Sequence, residues 1–527
     1  MSRGLLRFAA CTFAGSIVLA LAGTAPAVPP TSRYVVILKE GHSAAGLTAV
    51  KRAGGRLLAL NKIGIATVDS TKPSFASRLR ASSAIVGVAN DAAFRVGTGP
   101  KLGLGALRGL TRAAVSSPVT EAAACAALYS VPATTGPDPL AACQWDMRAI
   151  KANPGSYDVT KGAGARLGDI DTGIDLRSHE FNLDIPASCS FIYATTPTSN
   201  PSEQVPVGDC SNKAAVQDLA GHGTHTAGIM AAKINGHGTS GVAPDATIVA
   251  LKAGTEQGFF FTDSVVNSLI YAGDHHLDVV NMSFFADPWL FNCRNDADQK
   301  AIIQTISRAA KYAQSQGVVL VAAAGNDGID MNHPTVDEIS PDYPPGAATS
   351  RPVNNSCVVM PTEIAGVVVV TATGAQNLLS WYSTYGNVTD VTAPGGSRFQ
   401  TTPLDPNRGR VLAPYSSTAS DLAAEDALGR LVQDPTTGDY YAWLNGTSMA
   451  APHVAGVVGL IRAQHPNMSV GAVVNVIRGT ATAQGCPAAL DPGVVFFAAP
   501  EQFCKGGAGS NNFYGKGLLN ALAAASR

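Results

Sequence analysis

Four polar residues, far apart in the chain, each stand where an apolar or helical stretch begins or ends. Asp171 closes the apolar run in "ARLGDIDTGID", and His222 opens the helical stretch "GHGTHTAGIMAA". Asn326 follows the apolar run in "VVLVAAAGNDG", and Ser448 precedes a helical pattern in "NGTSMAAPHVAG". Nucleophilic acyl transfer needs this set of groups: a hydroxyl nucleophile, a base for its proton, an acid that holds the base, and a donor for the oxyanion.

Each of these residues alone has a simpler interpretation. Asp171 and Asn326 could be turn residues, and Ser448 could be a helix cap. His222 and His225 could bind a metal ion, although their spacing is i, i+3 rather than the i, i+4 of the HExxH motif. Only their joint occurrence at the ends of predicted elements favours an enzyme.

The elements that must position these residues alternate along the chain. Short apolar strands are predicted at 165–171, 247–252, 278–282, 317–324 and 366–373. Helical patterns are predicted at 224–233, 262–276, 298–315, 448–464 and 469–480. This alternation predicts an α/β fold, with a mainly parallel sheet covered by helices on both faces. Reactive groups in such sheets collect beyond the carboxyl ends of the strands.

A smaller unit precedes this domain. Residues 28–96 read as β-α-β-β-α-β, which predicts a small α+β, ferredoxin-like fold. This unit carries a formal charge of +7, whereas residues 97–527 carry −10. Residues 97–142 are rich in Gly, Ala, Pro and Ser and are interpreted as a linker or an extension of the next domain.

The first 27 residues have the pattern of a secretory signal peptide: Arg3 and Arg7, an apolar stretch, and a small-residue cleavage site. No later segment is long and apolar enough for a membrane anchor. The net charge of −1 gives no reason to expect a nucleic-acid partner. Outside the signal the chain has eight cysteines, an even number that favours disulfides in an exported protein.

Five motifs occur in an order that resembles the subtilisin-like serine proteases, the subtilases: "DIDTGID", "GHGTHTAG", "NMS", "AAAGNDG" and "NGTSMAAPHVAG". With the closing segment "YGKGLLNALAA", the resemblance covers about 140–527. It implies a secreted serine endopeptidase with a subtilisin-like three-layer domain over 143–527. An esterase of the α/β-hydrolase class would need GxSxG, but position 450 is alanine. A catalytically inactive subtilase that acts as a binding module is the remaining alternative.

The resemblance also implies a role for each motif residue. Asp171 orients the imidazole, His222 is the general base, and Ser448 is the nucleophile. The Asn326 side chain binds the oxyanion together with the Ser448 backbone N–H. Three residues are expected to bind substrate: Ser283, Phe284 and Gly325. Two histidines of the motifs are expected to be structural: His225 and His453.

Further expectations follow from the same resemblance. Residues 28–96 resemble the family's propeptide, an intramolecular inhibitor that is removed when the zymogen processes itself. Catalysis needs no cofactor, but Glu180 and Asn235 match ligand positions of a structural calcium site in the family. We expect the enzyme to act as a monomer on protein and peptide substrates. The eight cysteines allow 105 pairings, and our hypothesis pairs neighbours: 125–143, 189–210, 293–357 and 486–504.

The chain departs from the family pattern in four places. Asp169 stands where the family has an apolar strand residue. Phe284-Phe285 replaces Leu-Gly, and with "GFFF" at 258–261 predicts an apolar primary specificity pocket, unless these rings pack inside the protein. The chain also has extra segments around 189–210 and 396–440, and the first is predicted to be a disulfide-closed loop.

Overall fold

The computed structural model describes residues 32–91, 93–96, 115–194, 196, 198, 200–285, 289–341, 348–497 and 499–527. For 93–96 and Phe285 it describes the backbone alone. The predicted signal peptide and residues 97–114 of the predicted linker lie outside the described residues. Among the helices of the described part, none combines the length and apolar character that a membrane crossing requires.

The elements of the small N-terminal unit are β1 (Ser32–Leu38), α1 (Ser43–Ala53), β2 (Arg56–Leu60), β3 (Ile65–Ser70), α2 (Phe75–Arg80), β4 (Ile85–Asn90) and β5 (Ala93–Val96). The first six elements follow the predicted order, but the predicted last strand is divided into two, β4 and β5. The first four strands form an antiparallel sheet in the order β2-β3-β1-β4. Alternation along β1 gives this sheet two apolar faces. Val36 packs with α1 and α2, whereas Val35 joins the core of the larger domain.

The first half of the larger domain brings most of the central sheet and the helices beside it. Its elements are α3 (Pro118–Tyr129), α4 (Trp145–Ala149), β6 (Arg166–Asp171), β7 (Cys189–Ser190), α5 (His222–Ala231), β8 (Thr247–Lys252), β9 (Phe259–Phe261), α6 (Thr262–Asp274), β10 (Val279–Met282), β11 (Phe284–Phe285), β12 (Asn292–Cys293), α7 (Ala297–Ser315) and β13 (Val319–Ala323).

The second half completes the sheet and adds short hairpins and the C-terminal helices. Its elements are β14 (Val336–Asp337), β15 (Arg351–Pro352), β16 (Cys357–Val358), β17 (Val368–Thr373), β18 (Val391–Pro394), β19 (Val411–Tyr415), α8 (Leu422–Ala427), β20 (Leu431–Gln433), β21 (Tyr440–Leu444), α9 (Thr447–Gln464), α10 (Val470–Thr480), α11 (Gly493–Phe496), β22 (Gly506–Gly507), β23 (Ser510–Asn511) and α12 (Ala521–Ala525).

The central sheet has seven parallel strands in the order β18-β17-β13-β10-β6-β8-β7. Alternate residues of β6 enter different cores. Leu167 packs in the core that contains α5 and α9, whereas Ile170 packs in the core that contains α6 and α7. The predicted three-layer α/β fold is therefore confirmed, and Asp169 and Asp171 share the face of Leu167.

Helix α9 lies close against the sheet because it presents small residues. A Cβ atom on Gly456 would be 2.6 Å from Val242 Cβ, and one on Gly459 would be 2.8 Å from Leu167 Cδ2. Larger side chains at these positions would push the helix away from β6. The small residues that follow Ser448 therefore set the distance between the helix and the strand that ends at Asp171.

Two regions hold more structure than their sequences suggest. The described part of the predicted linker, 115–142, contains α3, which Ser117 caps by accepting a hydrogen bond from the Thr120 N–H. It packs against a three-stranded antiparallel sheet, β19-β21-β20, of which β19 and β20 lie in the predicted insertion and β21 follows it. Helix α3 buries Pro118, Glu121, Ala122 and Cys125, and alanines stand on both its buried and its exposed sides, so its sequence has little contrast between apolar and polar faces.

The four predicted disulfides are all confirmed. They join Cys125 to Cys143, Cys189 to Cys210, Cys293 to Cys357, and Cys486 to Cys504. The first ties α3 to the segment just before α4, and the second closes the inserted loop that precedes α5. Disulfides thus fix both α3 and the inserted loop 189–210 to neighbouring parts of the chain.

Candidate active site

Asp171 and His222 form a buried hydrogen-bonded pair. Asp171 is the last residue of β6, and His222 is the first residue of α5. Nδ1 of His222 lies 2.8 and 3.0 Å from the two carboxylate oxygens of Asp171. The pairing places the Nδ1 proton toward the carboxylate, which leaves Nε2 to accept a proton. Nε2 is buried and has no hydrogen-bond partner in the described part of the chain.

The close approach of α5 to the end of β6 depends on a glycine and a buried acid. A Cβ atom on Gly223 would be 2.2 Å from the carbonyl oxygen of Gly173, so no larger residue fits there. Asp218 accepts hydrogen bonds from the N–H groups of Gly221 and Thr224 at 2.9 Å each. It also accepts one from Thr172 Oγ1 at 2.9 Å. Asp218 therefore fastens the start of α5 to the turn after Asp171.

Sequence reasoning missed Asp218. The available signal was an acid just before the predicted helix start in "QDLAGHGT", where carboxylates commonly cap helices.

Ser448 is the second residue of α9, and α9 packs against α5. Its Oγ donates to the carbonyl oxygen of Ser283 at 3.0 Å, and Ser283 Oγ donates to the Ser448 carbonyl oxygen at 2.9 Å. Backbone N–H groups of a first helical turn lack intrahelical acceptors. The start of α9 therefore presents a hydroxyl and a donor N–H on the same residue.

Asn326 is held beside that helix start. Its Oδ1 accepts hydrogen bonds from Thr447 N at 2.8 Å and from Thr447 Oγ1 at 2.9 Å. Thr447 Oγ1 in turn accepts from Gly325 N at 3.1 Å. Because the amide oxygen is engaged, the side chain presents its Nδ2 donor to other groups. The structure thus brings Gly325 and Asn326 to the residue before Ser448.

A three-stranded antiparallel sheet lies next to this region, in the order β11-β5-β9. Strand β5 of the small unit runs between two strands of the large domain, with Val96 opposite Phe284 and Ala93 opposite Phe261. An extended chain in this position pairs through its backbone with both neighbours.

The ring of Phe284 does not line an open pocket. It is buried and stacks on Phe260, with 4.5 Å between the ring centroids. The prediction that the Phe284 ring forms a wall of the specificity pocket is therefore wrong, because the ring is more favourably buried against Phe260. Phe284 faces β5 through its backbone. The side chain of Phe285 lies outside the described residues.

A buried ion pair stands beside Asp171 on the neighbouring strand. Lys252 is paired in register with Asp171, and its Nζ lies 2.9 Å from Glu203 Oε2. The same ammonium group donates to the carbonyl oxygen of Thr172 at 2.5 Å. Glu203 belongs to the loop closed by Cys189 and Cys210. The inserted loop therefore contributes a charge that fixes the turn next to Asp171, which the sequence alone did not indicate.

The predicted calcium ligands do not form a calcium cradle. Tyr441 donates its hydroxyl proton to Glu180 Oε1 at 2.8 Å. Asn235 Oδ1 accepts from the His237 N–H at 2.8 Å, and its Nδ2 donates to the His179 carbonyl oxygen at 3.3 Å. Of the oxygens of these two side chains, only Glu180 Oε2 lacks a hydrogen-bond partner among the described residues. Calcium takes six to eight oxygen ligands, so these two side chains as placed do not fit it.

The two other histidines of the motifs make buried structural contacts. His225 Nε2 lies 2.9 Å from the Ala442 carbonyl oxygen, and burial lowers the pKa of His225 to about 3. His453 bridges the Met449 carbonyl oxygen at 2.8 Å and Asp146 Oδ2 at 3.0 Å. Both residues tie α5 or α9 to neighbouring segments.

Comparison with known proteins places this arrangement in one family. The profile of the Subtilase family matches residues 162–517. Subtilisin DY of Bacillus licheniformis is 29% identical over 376 residues, which are 71% of this chain and 96% of that protein. Subtilisin BL of Lederbergia lenta is 27% identical over 380 residues, which are 72% of this chain and 97% of that protein.

Solved structures show the same fold. The epidermin leader peptide processing serine protease of Staphylococcus aureus has a TM-score of 0.64 at 20% identity, covering 94% of this chain and 98% of that one. Fervidolysin of Fervidobacterium pennivorans, a keratinolytic enzyme, has a TM-score of 0.59 at 19% identity, covering 94% of this chain and 61% of that one.

Proposed function

This chain belongs to the subtilase family and is a serine endopeptidase, and on that premise we propose that Asp171, His222 and Ser448 are its catalytic triad. The observation that carries the proposal is the buried Asp171–His222 hydrogen bond, on a helix that packs against the one bearing Ser448. The unpartnered Nε2 of His222 supports a role as general base.

In the proposed reaction, His222 Nε2 takes the proton of Ser448 Oγ as that oxygen attacks the carbonyl carbon of the scissile peptide bond. Asp171 holds the ring through Nδ1 and stabilises the imidazolium that forms. His222 then gives the proton to the leaving amine, so the C–N bond breaks and an acyl ester remains on Ser448. Water, deprotonated by the same Nε2, hydrolyses the ester. Subtilases need no cofactor for this reaction.

The oxyanion of the tetrahedral intermediate needs fixed donors. We assign this role to Asn326 Nδ2 and the Ser448 N–H, at the positive end of the α9 dipole. The two hydrogen bonds that Thr447 donates to Asn326 Oδ1 support the assignment. They fix the orientation of the Asn326 side chain, so its Nδ2 donor needs no rearrangement during the reaction.

We further propose that residues 28–96 inhibit the zymogen and are removed by self-processing. Strand β5 occupies the place between β9 and β11 that an extended substrate would need. Ion pairs of Arg80 with Asp298 and of Lys62 with Asp274 join the two units, in line with their opposite net charges. We place the cut shortly after Val96 and before Cys125, so that the disulfide to Cys143 stays in the mature enzyme.

We propose that the mature enzyme is secreted and monomeric and acts on protein and peptide substrates. Four disulfides support secretion, because disulfides persist mainly in oxidising compartments. We do not extend the proposal to structural calcium at Glu180 and Asn235, since the amide oxygen and one carboxylate oxygen are already hydrogen-bonded.

Ser448→Ala tests the proposed function. The variant should have no peptidase activity and should accumulate as a precursor that still contains 28–96, because one nucleophile would perform both reactions. Ser420→Ala, at an exposed serine, serves as the control. Peptidase activity in mature Ser448→Ala would refute the role of Ser448, and maturation without activity would refute self-processing.

A further inference from the structure

Asp169 is a buried acid that the proposed reaction does not use. It lies two residues before Asp171 on β6, so both side chains point to the same face of the sheet. Only 3% of its surface is exposed. A buried carboxyl group is costly unless its oxygens are hydrogen-bonded, so its partners show what it does.

The two oxygens of Asp169 contact two different elements. Thr226 Oγ1, one turn after His222 on α5, lies 2.8 Å from Oδ2. Asn281 Nδ2, on the neighbouring strand β10 and in register with Asp169, lies 2.9 Å from Oδ1. Asp169 therefore connects the helix that carries His222 to the strand that leads to Ser283.

These contacts extend to two of the proposed catalytic residues, His222 and Ser448. The same Asn281 amide nitrogen donates to Ser283 Oγ at 3.0 Å, and Ser283 Oγ donates to the Ser448 carbonyl oxygen at 2.9 Å. On the other side, Thr226 Oγ1 lies 3.3 Å from the His222 carbonyl oxygen and 3.1 Å from that of Gly223. A continuous row of side-chain hydrogen bonds thus runs from the start of α5 to the start of α9.

The hydrogen bonds of this row accommodate a neutral Asp169. The Thr226 hydroxyl has one proton, and it cannot serve both Asp169 and the Gly223 carbonyl. If Asp169 Oδ2 carries a proton and donates it to Thr226, the Thr226 proton is free for the Gly223 carbonyl. Asn281 still donates to Oδ1. Every polar group in the row then has a partner.

The surroundings of Asp169 agree with this proton. Both of its hydrogen-bond partners, within the part of the chain that the structure describes, are neutral groups. Burial, together with the charge of Asp171, raises the pKa of Asp169 well above its usual value. An ionised Asp169 would put a second negative charge beside Asp171 without a cation bonded to it.

We propose that Asp169 is a positioning residue that works as a neutral carboxylic acid, holding α5 and β10 in the relative placement that aligns His222 with Ser448. This inference rests on the proposed function, because it assigns a role relative to that triad. Asp169 touches neither substrate nor reacting atoms, so its effect is on geometry.

Two substitutions at this position separate the neutral acid from its alternatives. Asp169→Asn keeps one acceptor and one donor in the proposed places, since the amide oxygen accepts from Asn281 and the amide nitrogen donates to Thr226. Asp169→Ala removes both bonds. We expect Asp169→Ala to lower kcat by about 10²-fold, as small misplacements of catalytic groups do. KM should change less than about twofold, while Asp169→Asn restores kcat to within about threefold of the wild type.

The measurement is kcat and KM of the mature enzymes. The concentration of active sites is determined by titration with a fluorophosphonate, so that unfolded protein is not counted when kcat is calculated. The wild-type mature enzyme and the Ser448→Ala precursor are measured alongside. An inactive wild type, or an active Ser448→Ala, would mean that the proposed function fails, independently of Asp169. With those controls as expected, Asp169→Asn as slow as Asp169→Ala would show that the negative charge is needed and would overturn the inference.

A fully active Asp169→Ala would overturn the inference as well, because the bonds would then have no effect on catalysis. If Asp169→Ala does not accumulate, Thr226→Val takes its place, since valine keeps the shape of threonine and removes one bond of the row. Its kcat should fall with KM unchanged, and wild-type kcat in Thr226→Val would contradict the role of the row.

Discussion

At the scale of single residues, catalytic groups depend on neighbours that only the fold reveals. The motifs identified the residues proposed for catalysis, because their side-chain types and their places at element ends match acyl transfer. Sequence reasoning could not show that Thr447 orients Asn326, or that Asp218 fastens the turn after Asp171 to α5. Such contacts join residues that are far apart in the chain, so no local pattern records them.

Asn326→Ala should slow turnover and leave substrate binding nearly intact. The lost donor would act on the oxyanion, which exists only in the transition state and the intermediate. We expect kcat to fall by roughly 10²–10³, the size found when this kind of donor is removed from a subtilisin, with little change in KM. Steady-state kinetics on a peptide substrate measure this, with Asn387→Ala, at an exposed asparagine, as the control. An unchanged kcat would remove Asn326 from the oxyanion site.

His225 should make the enzyme sensitive to acid. Burial lowers its pKa from 6.5 to about 3, so the folded state keeps it neutral while the unfolded state takes up a proton below about pH 6.5. The free energy of unfolding should therefore decrease as pH falls from 6.5 toward 3, by about 1.4 kcal/mol for each pH unit between these two pKa values. His225→Gln keeps a donor for the Ala442 carbonyl but does not titrate.

The His225 prediction is measured by urea unfolding between pH 7 and 4, in the Ser448→Ala background to prevent autolysis. His225→Gln should lose less stability in acid than the parent, whereas His42→Gln, at an exposed histidine, should follow the parent. Parallel pH curves for His225→Gln and the parent would contradict the account.

At the scale of elements, buried apolar runs predicted the central strands because parallel strands covered on both faces are apolar throughout. The edge strands were missed for local reasons. Strand β7 has only two residues, Cys189–Ser190, and β18, Val391–Pro394, contains Thr and Pro instead of an apolar run. Helix α3 was missed because alanine gives little periodic contrast.

The disulfide from Cys189 to Cys210 should stabilise the fold and the site together. It closes a loop with a sequence separation of 21, for which chain entropy predicts about 3 kcal/mol of stability. Breaking it should also loosen Glu203 from Lys252, whose ammonium group holds the turn after Asp171. We therefore expect the double variant Cys189→Ser/Cys210→Ser to lose both stability and kcat.

A matched variant separates these two effects. Cys486→Ser/Cys504→Ser opens a loop of similar length, with a separation of 18, in the C-terminal region. It should lose similar stability in urea unfolding but keep its kcat at temperatures below unfolding. Equal kcat losses in the two double variants would argue against a local role for the Glu203–Lys252 pair.

At the scale of the whole molecule, the basic N-terminal unit packs on the acidic larger domain. The contact uses the face of the β2-β3-β1-β4 sheet that α1 and α2 do not cover. Val35, Ile65 and Ala89 of the small unit join the core that contains α6 and α7. The charge difference and the β-α-β-β-α-β pattern were readable from composition and periodicity. The placement of β5 between β9 and β11 was not, because it depends on pairing between distant segments.

The central claim is that Ser448, activated by His222, is the nucleophile of this endopeptidase. The most direct measurement is fluorophosphonate labelling of the mature enzyme, followed by mass spectrometry of its peptides. We predict one adduct, on Ser448, and no other labelled residue. An adduct on another residue, or a folded, mature enzyme that takes no label, would contradict the account.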